Sequence, residues 1–171
     1  MAVLPIRTWP DEVLRRKTDP VEVVDDEVRR LLNDMAETMY RGNGIGLAAP
    51  QVGVSRRVIT LDVPSEEEDQ PGSGLILAVN PRITAREGKV VITEGCLSFP
   101  GLEIDIARAE HVTVEYADEN GAPQARDCHG MLAVCFQHEI DHLDGTVFVD
   151  RVGLVRRRIA LRDYDHLRRG E

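Results

Sequence analysis

The chain has 171 residues, of which 42% are hydrophobic and 30% are charged, and its formal net charge is -9 at pH 7. This length predicts one domain over 1–171, large enough to bury a core without disulfide support. The acidic balance argues against a DNA-binding protein, because a phosphate backbone would be repelled by most of the surface.

Cysteine usage and hydropathy indicate the compartment. The chain has 3 cysteines, an odd number, and it begins without the apolar run of a secretory signal. No stretch reaches the roughly 18 uninterrupted apolar residues that a membrane span requires. We therefore expect a cytoplasmic protein that does not insert into a membrane.

The first predicted element is a helix that begins at Asp25 or Asp26, because an aspartate can cap the first turn. Gly42 and Gly44 are predicted to end it. Its apolar residues have the three-and-four spacing of one buried helix face: Val28, Leu31, Leu32, Met35 and Met39.

Short segments rich in β-branched residues follow, and we predict strands over 58–63, 75–79, 89–93 and 111–117. The last of them leads into Asp-Glu-Asn-Gly, which favours a hairpin. The charged stretch 64–74, from Pro64 to Gly74, lies between the first two strands and is predicted to be an exposed loop without an assigned role.

A second helix is predicted from Gly130 through His142, with Gly145 marking its end. A third occupies the tail 151–171, which has seven arginines against Asp163, Asp165 and Glu171. Together these elements predict an α+β fold. Short antiparallel or mixed strands would pack around the central second helix, between an N-terminal and a C-terminal helix.

The second helix contains His138-Glu139-Ile140-Asp141-His142, the H-E-x-x-H pattern. Residues four apart share a helix face, so both imidazoles can bind one metal ion with Glu139 beside it. The alternative is a helix with two surface histidines. The pattern predicts a metal site that is still one ligand short, since hydrolytic metals normally take three protein ligands and a water.

Cys96 is the candidate third ligand. It follows a predicted strand in Glu-Gly-Cys-Leu-Ser, and its thiolate would complete a Cys-His-His site. Downstream of the motif, the only histidine is His166 in the polar tail. The alternative for a lone cysteine is a small buried hydrophobe, which is what we expect of Cys128 and Cys135.

A third motif, Gly-Ile-Gly-Leu-Ala-Ala-Pro-Gln, spans 44–51. Its small residues allow a backbone or ligand to approach closely. It lacks the Gly-Lys-Ser/Thr ending of a phosphate-binding loop, and its glycines do not have the spacing of a dinucleotide-binding motif. By itself the segment would indicate only a turn.

In combination, the three motifs resemble those of the peptide deformylase family: G-x-G-x-A-A-x-Q, then E-G-C-x-S, then Q-H-E-x-x-H, in this order. The helices and strands around them also fall where that family has them. The resemblance implies a monomeric metal-dependent hydrolase that removes the formyl group from formyl-methionine of newly synthesised polypeptides and releases formate.

The resemblance also implies residue roles. One divalent metal ion, typically Fe2+ with Zn2+, Ni2+ or Co2+ as alternatives, would be held by Cys96, His138 and His142, with a bound water as nucleophile. Glu139 would be the general acid and base. Gln51 and the Leu97 N–H would donate hydrogen bonds to the oxyanion.

The substrate would pair its backbone with Ile45 and Gly46, an edge that the family uses. A methionine pocket is predicted on the helix face that precedes His138, from Met131, Val134 and Cys135. Core packing is the alternative for these three. Glu94 and Arg108 match supporting positions in the family, with an ordinary ion pair as the alternative.

Some questions stay open at this stage. The acidic segment 103–105, with Glu103 and Asp105, leaves the preference for residues after methionine undecided. The tail arginines indicate a solvated helix face or contact with ribosomal RNA, through Arg156, Arg157, Arg158 and Arg162. Rival functions are a zinc endopeptidase, a non-catalytic metal module and a hydrolase of another formamide. Cys96 precedes the H-E-x-x-H helix, which argues against an endopeptidase, because those enzymes usually take their third ligand after the helix. Only three ligands match, which argues against a structural metal module, because such modules use four protein ligands.

Overall fold

The computed structural model describes residues 2–170, so Met1 and Glu171, the ends of the predicted domain and tail, lie outside the described residues. Its α-helices are α1 (Asp26–Arg41), α2 (Gly130–Leu143) and α3 (Leu154–Arg169). Its strands are β1 (Gly46–Ala48), β2 (Val58–Leu61), β3 (Ile76–Glu87), β4 (Val90–Gly95), β5 (Glu103–Arg108), β6 (His111–Ala117) and β7 (Pro123–His129). The predicted α+β class is confirmed.

Helix α1 forms for the reasons that the sequence indicates. The Asp25 side chain accepts a hydrogen bond from Val28 N at 3.0 Å and caps the first turn, and Gly42 caps the last. The buried face packs on the sheet beside Leu47 and Val58. Four of the five predicted apolar positions are buried, and Leu31 is half-buried against the same cluster.

The strands form a five-stranded antiparallel sheet in the order β1-β2-β3-β6-β7 and a separate two-stranded sheet, β4-β5. Strand β3 is longer than the predicted 75–79 because it continues through Pro81. The pairing of β3 with β6 shifts register between Val79 and Arg82. This irregularity accommodates a proline that cannot donate a ladder hydrogen bond.

Sequence patterns predicted no strand at β1 or at β5, because β1 has only three residues in a glycine-rich motif and acidic residues such as those of β5 are depleted in strands. Strand β5 pairs with β4 from Val90 opposite Arg108 to Gly95 opposite Glu103. The predicted hairpin is present between β6 and β7, where the Asp118 carboxylate accepts hydrogen bonds from the backbone of Asn120 and Ala122.

Helix α2 is central, with 11 of its residues buried. One side packs on the large sheet, where Phe136 and Ile140 join Ile59 and Val112 in a single apolar cluster. On another side, the His138 ring lies 5.8 Å from the ring of Phe148. A helix that is covered all round must hold its polar side chains in the interior, where each needs a partner.

Helix α3 is attached at few points. Ala160 and Tyr164 are buried, and the Tyr164 ring lies 5.1 Å from the ring of Phe99. Leu154 and Val155 at its start are largely exposed. Among residues 2–170, no helix combines the length and apolar character needed to cross a membrane.

Candidate active site

The three predicted ligands converge in the interior. His138 and His142 lie on one face of α2 with ring centroids 5.1 Å apart, and they are 8% and 1% exposed. Cys96 lies in the turn that follows β4, and its Sγ is 3.4 Å from His142 Nε2. One donor atom from each of the three residues lies within 4.8 Å of the others.

This donor set fits a divalent metal ion. One sulfur and two imidazole nitrogens suit zinc, iron or cobalt and leave a position for water. Two buried atoms near the cluster, Glu139 Oε2 and His142 Nδ1, have no hydrogen-bond partner among the described residues. Within residues 2–170, no other group of His, Cys, Asp and Glu is placed to hold a metal. His166, the histidine downstream of the motif, does not belong to the cluster.

Glu94 orients His138. Its Oε1 lies 2.7 Å from His138 Nδ1, so the opposite ring nitrogen, Nε2, is left for the metal cluster. Arg108 donates two hydrogen bonds to Glu94, at 2.8 and 3.0 Å. Burial raises the pKa of Glu94, but His138 and Arg108 outweigh burial and hold that pKa at about 2. The carboxylate therefore stays charged at neutral pH.

The ion-pair network continues beyond the predicted residues. Arg108 Nη1 also donates to Asp141 Oδ2 at 2.7 Å, and Arg151 donates to Asp141 at 2.9 and 2.6 Å. Asp141 occupies a variable position of the H-E-x-x-H motif, and Arg151 lies in the tail for which the sequence indicated a solvated helix face or an RNA contact. No sequence pattern indicated that either one would support Glu94 through Arg108.

Glu139 lies against the metal cluster, with Oε1 4.0 Å from His138 Nε2. It is 4% exposed, and burial raises the pKa of its carboxyl group to about 7. The side chain carries no hydrogen bond that would fix a proton on Oε2. Such a carboxyl group is free to take up and release a proton.

The Gln51 side chain is held in one orientation by the short helical turn Ala49–Val52. Its Oε1 accepts a hydrogen bond from Ala48 N at 2.9 Å. Its Nε2 consequently faces Ser98 Oγ at 3.1 Å and Cys96 Sγ at 3.6 Å. The amide donor is therefore directed toward the Cys96 side of the cluster, with Leu97 next along the chain.

A cavity of about 460 Å3 opens onto the cluster, within the size range of small-ligand sites. Its lining includes all the residues predicted to bind substrate: Ile45, Gly46, Met131, Val134 and Cys135. Cys135 Sγ lies 3.6 Å from Ile45 O and so connects two walls of the cavity. Burial raises the pKa of Cys135 well above its usual range, so it stays a thiol. Cys128, on strand β7 of the large sheet, is buried in the apolar cluster, as predicted.

Strand β1 is an edge strand of the large sheet and borders this cavity. On its inner side, Ile45 O accepts a hydrogen bond from Asp62 N at 2.9 Å. Neighbouring residues of an antiparallel strand use opposite edges, so Gly46 presents its backbone groups on the open side. That edge can accept an extended peptide.

Gly46 also packs against the catalytic candidate. A Cβ at this position would lie 2.8 Å from both Glu139 Oε1 and Cys135 Sγ. We expect Gly46→Ala to displace Glu139 and lower the hydrolytic activity of this site by about 100-fold, the typical cost of a small misplacement. Gly153→Ala is the control, because nothing lies within 4 Å of its Cβ. Equal activity of the two variants would contradict this packing.

Comparison with known proteins gives a consistent result. The polypeptide deformylase family model matches residues 3–158. Peptide deformylase 2 of Xanthomonas campestris pv. campestris is 47% identical over 172 residues, covering 99% of this chain and 98% of that protein.

Solved structures agree with this match. A peptide deformylase from Legionella pneumophila superposes with a TM-score of 0.88 at 42% identity, covering 98% of this chain and 96% of that one. A peptide deformylase from Ehrlichia chaffeensis, solved in complex with actinonin, also gives a TM-score of 0.88 at 42% identity, covering 95% and 96% of the two chains.

Proposed function

The chain belongs to the polypeptide deformylase family, and from this membership we propose that it removes the formyl group from formyl-methionine of newly synthesised polypeptides and releases formate. One observation carries the proposal: a Cys-His-His cluster, a buried glutamate and an oriented glutamine amide meet at a single apolar cavity. These are the groups that hydrolysis of a small amide requires.

The proposed ligands are Cys96, His138 and His142, whose donor atoms are already grouped. Fe2+ is the proposed ion on the family pattern, with Zn2+, Ni2+ or Co2+ able to use the same donors. When bound, such an ion lowers the pKa of a water molecule and polarises the carbonyl of the substrate.

Glu139 is proposed to move the proton. Its carboxylate takes a proton from the attacking water as the water oxygen bonds to the formyl carbon. When the carbon–nitrogen bond breaks, the same carboxyl group gives that proton to the departing amine. The products are formate and a free amino terminus. The burial of Glu139 and its unpartnered Oε2 support this role.

Gln51 and Leu97 are proposed to stabilise the oxygen of the formyl group as it gains negative charge. The Gln51 amide is fixed by Ala48 and faces Cys96, so it needs little rearrangement to donate. The Leu97 N–H follows the cysteine directly. These two N–H groups can both donate hydrogen bonds to the negatively charged oxygen, which a carboxylate such as Glu139 would repel.

The methionine side chain of the substrate is proposed to lie in the space between Ile45 and the apolar wall formed by Met131, Val134 and Cys135. Its backbone would pair with the open edge at Gly46. An unbranched methionine fits an irregular apolar space well, and each methylene that a smaller substrate lacks should cost ~0.8 kcal/mol.

Val134→Trp tests this pocket. The larger ring should fill the space and lower kcat/KM for formyl-Met-Ala-Ser at least about tenfold more than for formyl-Gly-Ala-Ser, since glycine places no side chain there. Metal content and thermal unfolding must match those of the wild type. A fall by the same factor for both substrates would mean that Val134 serves core packing alone.

Partner and location are also proposals. We expect a cytoplasmic monomer that acts on nascent chains, with α3 contacting ribosomal RNA. Two of the four predicted tail arginines are already engaged, because Arg157 pairs with Asp150 at 3.1 Å and Arg156 donates to the backbone oxygen of Asp105 at 2.7 Å. The contact would therefore rest mainly on Arg158 and Arg162.

The decisive experiment is release of formate from formyl-Met-Ala-Ser by anaerobically prepared, iron-loaded protein. Casein serves as the second substrate, because an endopeptidase would cleave it. Formate release with intact casein supports the proposal. Casein cleavage with the formyl peptide untouched would overturn the proposal. Hydrolysis of small formamides without hydrolysis of the formyl peptide would mean that the substrate is a small formamide and not a nascent chain.

A further inference from the structure

We propose that Glu103 makes this enzyme favour nascent chains with lysine or arginine at one of the two positions after the formyl-methionine. The inference rests on the proposed function, because it concerns the residues that follow the methionine in the same cavity. It assigns a specificity-determining role to a carboxylate at the cavity rim.

The charge of the cavity lining is one-sided. Its lining residues include three carboxylates, from Glu94, Glu103 and Glu139, and no arginine or lysine. Glu94 is neutralised by Arg108, and Glu139 is buried beside the metal cluster. Glu103 is therefore the carboxylate that an incoming peptide meets at the entrance.

Glu103 is available for such a contact. It lines the cavity and is also exposed to solvent, which puts it at the rim. Within residues 2–170, its side chain has neither a hydrogen bond nor an ion pair. Because Glu103 is exposed, water and salt screen its charge, so its attraction for a peptide cation is modest and depends on ionic strength.

The neighbouring groups do not cancel this charge. Asp105, two residues along the same face of β5, accepts a hydrogen bond from Thr93 Oγ1 and adds a second negative charge. Arg156 reaches this strand from α3, but it donates to the backbone oxygen of Asp105 and does not line the cavity. Glu103 is therefore the carboxylate of this segment that lines the cavity, and no cation among the lining residues cancels its charge.

The strand register places Glu103 where the peptide must pass. Glu103 is paired with Gly95, the residue immediately before the proposed ligand Cys96. We consider an extended peptide with its formyl carbon at the Cys-His-His cluster and its backbone along Gly46. Each of its residues advances the chain by about 3.3 Å. Its next two side chains therefore lie within reach of the rim, and a lysine or arginine there pairs with Glu103.

The experiment compares kcat/KM of the metal-loaded enzyme for two pairs of substrates, formyl-Met-Lys-Ser against formyl-Met-Glu-Ser and formyl-Met-Ala-Lys against formyl-Met-Ala-Glu, all amidated. We expect lysine to be favoured over glutamate by about tenfold in at least one pair, because attraction and repulsion add. Glu103→Gln should reduce the ratio to near one, and Glu103→Arg should invert it. The wild-type ratio should also shrink at about 0.5 M salt.

Glu22→Arg is the matched control, since it makes the same change of net charge at an exposed position outside the cavity lining. It should keep the wild-type ratio. A ratio near one in the wild type, or an equal shift in the Glu22 and Glu103 variants, would overturn the inference. Failure of the wild type to hydrolyse formyl-Met-Ala-Ser would instead overturn the proposed function, so the two failures are distinct.

Discussion

Replacing Glu139 with alanine should lower kcat/KM for formyl-Met-Ala-Ser by a factor of roughly 100 to 10,000, the usual contribution of a positioned acid-base group. The bound metal should remain, because Cys96, His138 and His142 keep their donor atoms. The two measurements are formate release and metal content per chain, made on the same preparation.

Glu27→Ala provides the control for that experiment, since the Glu27 side chain is 80% exposed on α1, away from the cavity lining. It should leave activity and metal content unchanged. If the Glu139 variant loses metal in proportion to activity, the carboxylate supports the cluster and does not transfer a proton.

Replacing Arg108 with alanine should lower the free energy of unfolding by about 3 to 5 kcal/mol, because it leaves the buried Glu94 without its arginine and leaves Asp141 with Arg151 alone. Glu94 and Asp141 both pair with this arginine, whose side chain is 4% exposed. Urea unfolding of the metal-loaded protein, followed by circular dichroism, measures the change. Arg108→Lys should recover only part of the loss, since an ammonium cannot form the two parallel bonds to Glu94.

Arg82→Ala is the comparison for stability. Its partner is Glu115, and the two side chains are 72% and 45% exposed. An exposed pair of this kind contributes about 0 to 1 kcal/mol. Similar losses for the Arg82 and Arg108 variants would mean that the buried network is not a significant source of stability.

Sequence patterns predicted the local parts of the site well. The spacing of His138 and His142 depends only on helical periodicity, and the Asp25 cap depends only on the first turn of α1. The three motifs also indicated the family, since their order and spacing are specific. These features involve residues close together in the chain, so the sequence carries them directly.

Other features depend on pairing and packing between distant segments. The contact of Cys96 with His142 joins residues 46 positions apart, and it requires β4 to end beside α2. Strand β5 was not predicted because its acidic residues are atypical of strands, and it forms only by pairing with β4. Burial of Asp141 and its bonds to Arg108 and Arg151 follow from packing that covers α2 on all sides.

The sequence alone thus determined which residue types occur at helical or motif spacing, and with them the α+β class, the family and the candidate ligands. Only the tertiary structure decided that Glu103 borders the cavity, that Gly46 packs against Glu139, and that Arg108 connects Glu94 with Asp141. The reason is physical. Periodicity is fixed by the backbone geometry of a few neighbouring residues. Strand register and burial depend instead on which segments of the whole chain pack together in the core.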